Sequence, residues 1–315
     1  MKIAFHDNSI SLRGTTVALY DYAYYTRKLL GNESIILYDK NHPSNNQTVY
    51  EKFAKEFNIY GYNNKSEIDE ILYKENCSHL LMVKGGKPDG VISNYSKNLI
   101  NAISICDNSD VHGDVFAMGS KWLSKITSYE IPYVPYMVNL PDVNEDMRTE
   151  LNIPKSDLVI GRNGGWETFD IDWVKNSISD VLSKRKDIWF VFQFTEPFIQ
   201  HERVIYLPGS SSLVDKVKFI NTCDVMLHAR LVGESFGLSC AEFSIKNKPV
   251  MTWIGSSERN HIDVLGDKGI YYNDSNDIIN ILLNLDKIQL NKNDWNMYNE
   301  YLPEKVIEKF KSVYL

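Results

Sequence analysis

Short apolar runs alternate with amphipathic stretches along the whole chain. Lys2–His6, Ser34–Tyr38 and His79–Val83 are mostly apolar runs that predict buried strands. Apolar residues recur with helical spacing from about Thr16 to Leu30, and Gly31 supplies a helix end. Strands that alternate with helices at this spacing predict βαβ units and a mostly parallel sheet.

The same alternation predicts the other elements of an α/β fold. Phe116–Thr127 fits either a strand or a short helix. The other predicted strands are Leu99–Ile105, Leu158–Ile160, Trp189–Phe194, Val204–Leu207, Val225–His228, Val250–Ile254 and Ile270–Tyr272. The other predicted helices are Tyr50–Phe57, Ser66–Lys74, Ile171–Lys184, Leu213–Thr222, Ser275–Leu285 and Trp295–Tyr314, the last interrupted near Pro303.

A segment with prolines and several acidic residues, Val138–Ile153, separates two α/β series of similar length. A chain of 315 residues is long enough for two domains. We therefore predict two doubly wound domains that face a cleft, one over residues 1–140 and one over residues 141–294. Open parallel sheets bind ligands beyond the carboxyl ends of their strands.

Composition and charge exclude several classes of protein. The formal net charge of −7 argues against nucleic acid as the main partner. The first residues look like neither a signal peptide nor a membrane span, and no later run approaches about 18 apolar residues, so we expect a cytoplasmic protein. The four cysteines have no CxxC spacing, which predicts reduced thiols in the core and no zinc site.

The stretch Gly233–Val250 carries the strongest chemical signal. A Ser235-Phe236-Gly237 turn is predicted to open a helix of about three turns, with Glu234 just before it and Glu242 inside it. The amides of Phe236, Gly237 and Leu238 would then be unpaired helix donors, which suit an anionic ligand.

Two arginines follow other predicted strands of the same half. Arg162 stands in a glycine-rich turn, and Arg230 lies four residues before Glu234. Two guanidinium groups and a helix N-terminus fit a diphosphate, and Glu242 could accept hydrogen bonds from ribose hydroxyls. The alternative is that Glu234 is a loop charge and Glu242 a solvated helix charge.

The run Glu234-Ser235-Phe236-Gly237-Leu238-Ser239-Cys240-Ala241-Glu242, followed by Lys248-Pro249-Val250, resembles the E-x7-E motif of retaining nucleotide-sugar glycosyltransferases of family 4. The resemblance covers most of the carboxyl half, whereas the amino half matches in organisation and at a few residues around Arg13-Gly14. It implies a GT-B fold in which the amino-terminal domain holds the acceptor and residues 295–315 pack back on that domain as a terminal helix.

The resemblance also implies roles for individual residues. Glu242 would hold the ribose hydroxyls, and Glu234 would lie by the donor sugar. His112 would point at that sugar from the amino-terminal domain, although a histidine in a polar loop is also a common surface or capping group. The remaining donor contacts would come from Arg13, Gly14, Arg162, Arg230, Ser235, Phe236, Gly237 and Leu238.

One position departs from the family pattern. Family members usually carry a lysine about six residues after the arginine that corresponds to Arg162, and this chain has Thr168 there. Arg230 or Arg13 is a candidate substitute for that cation. The departure makes a catalytically inactive relative an alternative.

Together these features predict a metal-independent, retaining hexosyltransferase-like enzyme. The donor would be a nucleoside diphosphate sugar and the acceptor a hydroxyl of a carbohydrate or glycoconjugate. Two alternatives stay open, namely a GT-B nucleotide-sugar epimerase and a nucleotide-sugar-binding protein without transfer activity. A dinucleotide oxidoreductase is disfavoured, because Ser11-Leu12-Arg13-Gly14-Thr15 stands where G-x-G-x-x-G would be required.

Overall fold

A computed structural model describes residues 1–127 and 131–315 of the chain. The chain divides into two compact units. The first unit comprises Met1–Met137 and Glu300–Leu315, and the second comprises Val138–Asn299.

The first unit contains a six-stranded parallel sheet with the strand order β3-β2-β1-β4-β5-β6. Its central strands are covered on both faces, which explains their continuous apolar sequences. The strands are β1 (Lys2–His6), β2 (Glu33–Asp39), β3 (Asn58–Tyr62), β4 (His79–Lys84), β5 (Lys97–Ala102) and β6 (Val115–Met118), and the helices are α1 (Gly14–Leu30), α2 (Gln47–Ala54), α3 (Glu67–Lys74) and α4 (Lys121–Ile126).

Strand β3 is absent from the prediction, and α2 is shifted relative to it. As the edge strand, β3 buries only Tyr62 fully, so its sequence lacks an apolar run. Helix α2 begins earlier than predicted because the side chain of Asn46 accepts a hydrogen bond from the amide of Val49 (3.1 Å) and caps the helix. The segment Phe116–Thr127 contributes to both β6 and α4, which were posed as alternatives.

The second unit contains another six-stranded parallel sheet, in the order β14-β12-β10-β7-β8-β9. Counted within each unit, both sheets have the order 3-2-1-4-5-6 of doubly wound nucleotide-binding folds. The strands are β7 (Leu158–Asn163), β8 (Ile188–Gln193), β9 (Val204–Leu207), β10 (Val225–His228), β11 (Gly233–Glu234), β12 (Val250–Trp253), β13 (Glu258–Arg259) and β14 (Ile270–Tyr272), and the helices are α5 (Asp172–Lys184), α6 (Leu213–Thr222), α7 (Leu238–Ile245), α8 (Asn260–Leu265), α9 (Ser275–Asn284) and α10 (Lys287–Leu290).

Helix α7 is shorter than the predicted three turns. Gly237 precedes it with a φ of +85°, so the helical backbone starts only at Leu238. At the other end, Asn247 has a φ of +57° and the amide of Lys248 donates to the carbonyl of Phe243 (2.9 Å). This left-handed ending limits α7 to eight residues.

The last helix, α11 (Pro303–Tyr314), also starts later than predicted. Proline is favoured in the first turn of a helix, where its missing amide hydrogen is not needed, so Pro303 begins the helix and does not interrupt it. Trp295 instead packs into the second unit, where its indole nitrogen donates to the carbonyl of Leu290 (2.8 Å).

Helix α11 packs on α1 in the first unit. The rings of Tyr22 and Phe310 are 5.6 Å apart, and the hydroxyl of Tyr314 donates to the carbonyl of Ile100 in β5 (3.0 Å). All four cysteines are buried with free thiols, which confirms the prediction of core residues.

Candidate functional site

The loop before α7 is held by a pair of short parallel strands. Gly233 and Glu234 of β11 pair with Glu258 and Arg259 of β13. Gly233 has a φ of +85°, and a Cβ atom there would collide with the carbonyl oxygen of Glu258. The close approach of these two strands therefore requires glycine at this position and fixes where Glu234 stands.

Gly237 makes a second close approach at the start of α7. A Cβ atom on it would lie 3.1 Å from Cβ of His261 and 3.2 Å from Cβ of Glu234. The side chain of Asn260 also donates to the carbonyl of Phe236 (2.7 Å). The turn is thus clamped between the body of the unit and the start of α8.

Both carboxylate oxygens of Glu234 have partners in the same unit. Nε2 of His228 lies 3.2 Å from Oε1, and Nη1 of Arg230 lies 3.2 Å from Oε2. Burial by itself would raise the pKa of Glu234, but the His228 hydrogen bond and the nearby positive charges lower it to about 2. Glu234 is therefore a carboxylate at neutral pH, with its side chain 23% exposed.

His228 is itself held from behind by a buried hydrogen-bond chain. Its Nδ1 atom lies 2.9 Å from Oγ1 of Thr252 in β12, and that hydroxyl lies 3.0 Å from Nε2 of His261 in α8. The hydroxyl of Tyr272 donates to the carbonyl of His228 (2.7 Å). Burial lowers the pKa of His261 well below its usual range, so His261 is neutral.

Glu242 is buried near the middle of α7 and is only 3% exposed, so the alternative of a solvated helix charge is wrong. Nζ of Lys216 in α6 lies 2.6 Å from its Oε1 atom. A buried carboxylate requires such a partner to stay charged. No ion pair of Lys216 was foreseen from the sequence, because the two residues lie on different helices.

Arg162 ends β7 and is 3% exposed. Its guanidinium donates to the carbonyls of Phe194 (3.1 Å) and Gly165 (2.8 Å) and to the hydroxyls of Thr168 (2.6 Å) and Thr195. Burial lowers its pKa to about 10.

Both terminal nitrogens of Arg162 are thus occupied by oxygens of the protein. Thr168, at the position where a lysine was expected, is one of these acceptors. In this structure Arg162 braces the loop after β7, and its contact with a phosphate stays a prediction.

The amides available at the helix N-terminus differ from the predicted set. The first hydrogen bond of α7 runs from the amide of Ala241 to the carbonyl of Gly237 (3.0 Å). The first-turn amides without a helical acceptor are therefore those of Leu238, Ser239 and Cys240. Phe236 and Gly237 precede the helix, and the amide of Ser235 donates to the carboxylate of Glu258.

The other candidates lie on two loops of the first unit. Arg13 is exposed and precedes α1, whose first residue is Gly14. His112 follows a turn of 3-10 helix, Asn108–Asp110, and its Nδ1 donates to the carbonyl of Asp110 (2.7 Å). Nε2 of His112 has no hydrogen-bond partner among the described residues.

The chain was compared with family models, curated proteins and solved structures. No family model matches the chain, and no curated protein matches it in sequence. Among solved structures it is similar to Alr3699/HepE of Anabaena in complex with UDP-glucose, with a TM-score of 0.75, 12% identity and coverage of 99% of this chain and 100% of that one. The chain has the GT-B fold.

Two further structures show how broad this fold is. A glycosyltransferase from Rickettsia africae has a TM-score of 0.67 and 14% identity, over 99% of this chain and 98% of that one. A putative UDP-N-acetylglucosamine 2-epimerase from Listeria monocytogenes has a TM-score of 0.63 and 13% identity, over 99% and 96%. At such identities the likeness establishes the fold alone. Within the described part of the chain, no helix is long and apolar enough to cross a membrane.

Proposed function

We propose that this protein is a glycosyltransferase that moves a sugar from a nucleoside diphosphate sugar to an acceptor hydroxyl, with retention of the anomeric configuration. The observation that most strongly supports this proposal is that Glu234 and Glu242 lie on either side of the first residue of α7. One is held as a partly exposed carboxylate, and the other is buried beside Lys216. Solved structures of the same fold include one with UDP-glucose bound, which makes uridine nucleotides the first donors to test.

The two carboxylates would recognise different parts of the donor. Glu242 would accept hydrogen bonds from ribose hydroxyls, for which its second oxygen is suited because Lys216 engages Oε1. Glu234 would lie beside the sugar ring, where a negative charge stabilises the positive charge that develops as the glycosidic bond breaks. His112 and Gly14 would approach the donor from the first unit, as the E-x7-E resemblance implies.

Negative charge on the departing diphosphate also needs stabilisation. The first-turn amides of α7 and Arg230 would supply it, with Arg13 and Arg162 as further candidate cations. Since these groups are protein cations and dipoles, we expect transfer to continue in EDTA. Loss of activity in EDTA that added Mg²⁺ restores would contradict the metal-independent mechanism.

The test is incubation of the full chain with UDP-glucose and other nucleotide sugars, together with a panel of carbohydrate acceptors. Mass spectrometry would identify a glycosylated acceptor, and NMR would give the configuration of its new bond. Product with the donor's anomeric configuration is expected. An inverted product would refute retention, and donor binding without any product would favour an inactive nucleotide-sugar-binding protein.

A second candidate is a nucleotide-sugar epimerase, which the structural likeness to the putative Listeria enzyme supports. Epimerisation needs no acceptor. Conversion of UDP-N-acetylglucosamine to an isomer in the absence of acceptor would favour it, whereas transfer that depends on an acceptor would exclude it as the main activity.

A further inference from the structure

The side chains behind Glu234 form a chain from three elements of the second unit. His228 comes from β10, Thr252 from β12 and His261 from α8, and all three are buried. The two imidazole rings lie 4.6 Å apart and share the hydroxyl of Thr252. A carboxylate follows at the outer end, where His228 meets Glu234.

Hydrogen positions along this chain follow from the groups at its two ends. Glu234 is ionised and can only accept, so Nε2 of His228 carries a hydrogen. Nδ1 of His261 is buried without a partner in the described residues, and an unpaired buried N–H is rarer than an unpaired acceptor. His261 is therefore expected to carry its hydrogen on Nε2 and to donate it to Thr252.

With a neutral imidazole at His228, Nδ1 is an acceptor and the hydroxyl of Thr252 donates to it. The order of donation runs from His261 to Thr252, from Thr252 to His228, and from His228 to Glu234. Every hydrogen in this order points toward the carboxylate. The hydroxyl of Thr252 is the group through which the two histidine rings are coupled.

We propose that His228, Thr252 and His261 are positioning residues that act together to hold the Glu234 carboxylate in the orientation needed beside the donor sugar. The inference rests on the proposed function for the role of Glu234. None of the three needs to touch the donor. Their effect is to present Nε2–H of His228 to Oε1 and so to leave the carboxylate one preferred orientation.

Other charged groups act on Glu234 as well, so a pH profile must be interpreted with them in view. Arg230 contacts it directly, whereas Arg162, Glu258 and Cys240 act on it or respond to it through charge. Arg259 lies near His261 in the same way. None of these groups bonds to the hydroxyl of Thr252, so a change at Thr252 isolates the histidine chain.

The first experiment measures the histidine tautomers in the full chain, without any substrate. Protein labelled with ¹⁵N-histidine is examined by NMR, and His228→Asn and His261→Asn assign the two rings. Both rings are expected in the Nε2–H form. A hydrogen on Nδ1 of neutral His228 or of His261 would overturn the proposed order of donation, whether or not the protein is an enzyme.

The second experiment compares Thr252→Val with Thr252→Ser. Valine keeps the shape but removes the hydroxyl, whereas serine keeps it. With UDP-glucose as donor, kcat is expected to fall about 10- to 100-fold in Thr252→Val, by analogy with the loss of hydrogen bonds that orient the ligands of metal sites. Thr252→Ser is expected to stay within about threefold of the wild type, and the Kd for UDP is expected to be unchanged in both variants.

A shift in the pH profile separates positioning from general damage. Loss of the oriented donor raises the pKa of Glu234, so the acidic limb of kcat/KM should move to higher pH in Thr252→Val. A uniform loss at all pH values, or weaker UDP binding, would show a merely structural role.

The outcomes also separate this proposal from the proposed function. A wild type that transfers sugar while Thr252→Val transfers equally well overturns the positioning role alone. A wild type that neither binds nor transfers any nucleotide sugar overturns the proposed function, and the role beside a donor falls with it. If Thr252→Val does not fold, as circular dichroism would show, the tautomer measurement on the wild type decides.

Discussion

Both sheets carry polar side chains at the carboxyl ends of their strands. The two edges differ in the charge state of these side chains. In the first sheet, Nε2 of His6 at the end of β1 lies 2.8 Å from the hydroxyl of Tyr62 at the end of β3. Burial lowers the pKa of His6 to about 4, so this ring is neutral. In the second sheet, His228 and Arg230 keep Glu234 charged.

The difference shows that a shared strand order does not determine the charge state of the groups at the ends of the strands. The shared strand order places polar groups at the same edge in both sheets, beyond the ends of parallel strands. Burial neutralises a titratable group unless an opposite charge or a donor holds its ionised form. The second edge supplies such partners to Glu234. At the first edge Asp89 is paired with Lys84 (2.7 Å), and the effect of burial on His6 outweighs the charge of Asp89.

The largest effect is expected on the kcat of sugar transfer in Glu234→Gln. This variant tests whether the edge of the second sheet is the catalytic one. Glutamine keeps the shape and loses the charge that would stabilise the transition state, so kcat should fall about 10²- to 10³-fold. Steady-state kinetics with UDP-glucose would measure it. Glu202→Gln is the matched control, because Glu202 has a side chain 84% exposed. Unchanged kcat in Glu234→Gln would remove Glu234 from the site.

The buried, neutral His6 predicts a loss of stability in mild acid. The folded-state pKa of His6, about 4, lies below its unfolded value of 6.5. The unfolded chain therefore binds the proton more readily as the pH falls from about 6.5 to about 4, and stability is lost across that window.

For His6 alone the loss is about 3 kcal/mol. Urea unfolding at several pH values would measure it, and His6→Gln should flatten the slope without abolishing it, because buried His261 contributes in the same direction. An equally steep slope in His6→Gln would show that His6 is not the buried neutral group.

A smaller effect is expected on nucleotide affinity in Glu242→Ala. Hydrogen bonds to a charged group contribute about 1.5–3 kcal/mol, so the Kd for UDP should rise about 10- to 100-fold. Calorimetry would measure it, with Glu202→Ala as the control. Wild-type affinity in a folded Glu242→Ala variant would refute the ribose contact and leave Glu242 as the partner of Lys216 only.

The smallest effect is expected in Tyr62→Phe, which removes the partner of His6. Loss of one buried hydrogen bond should reduce the free energy of unfolding by about 1–3 kcal/mol. The Kd for UDP should not change, since neither Tyr62 nor His6 is among the proposed donor contacts. A loss of UDP affinity as large as that of Glu242→Ala would mean that the contrast between the two edges is wrong.

Much of the fold followed from the sequence because buried parallel strands need continuous apolar runs. Lys2–His6 and Val225–His228 were predicted with the bounds that the structure shows. Edge strand β3 was missed, since one-sided burial leaves no such run. The length of α7 was overestimated, because the left-handed backbone of Gly237 delays its start.

The candidate site was predicted only in part. Glu234 and Glu242 stand in one local motif that can be read along the chain, and Arg230, a partner of Glu234, lies close by in sequence. The more distant contacts cannot be read in this way, because Thr252 lies 24 residues after its partner His228 and Lys216 lies 26 residues before Glu242. The local signal for this hydrogen-bond chain is a histidine at the end of an apolar strand, as at His228.

The sequence alone determined the α/β class, the two series of elements and the local spacing of the two glutamates, since apolar periodicity and turn residues act over short distances. Only the tertiary structure decided which side chains of the candidate site are charged and which already have hydrogen-bond partners within the protein. It buries Arg162 among oxygens of its own loop, and it sets His228, Thr252 and His261 behind Glu234. Ionisation and pairing depend on burial and on neighbours from distant strands, which no local pattern records.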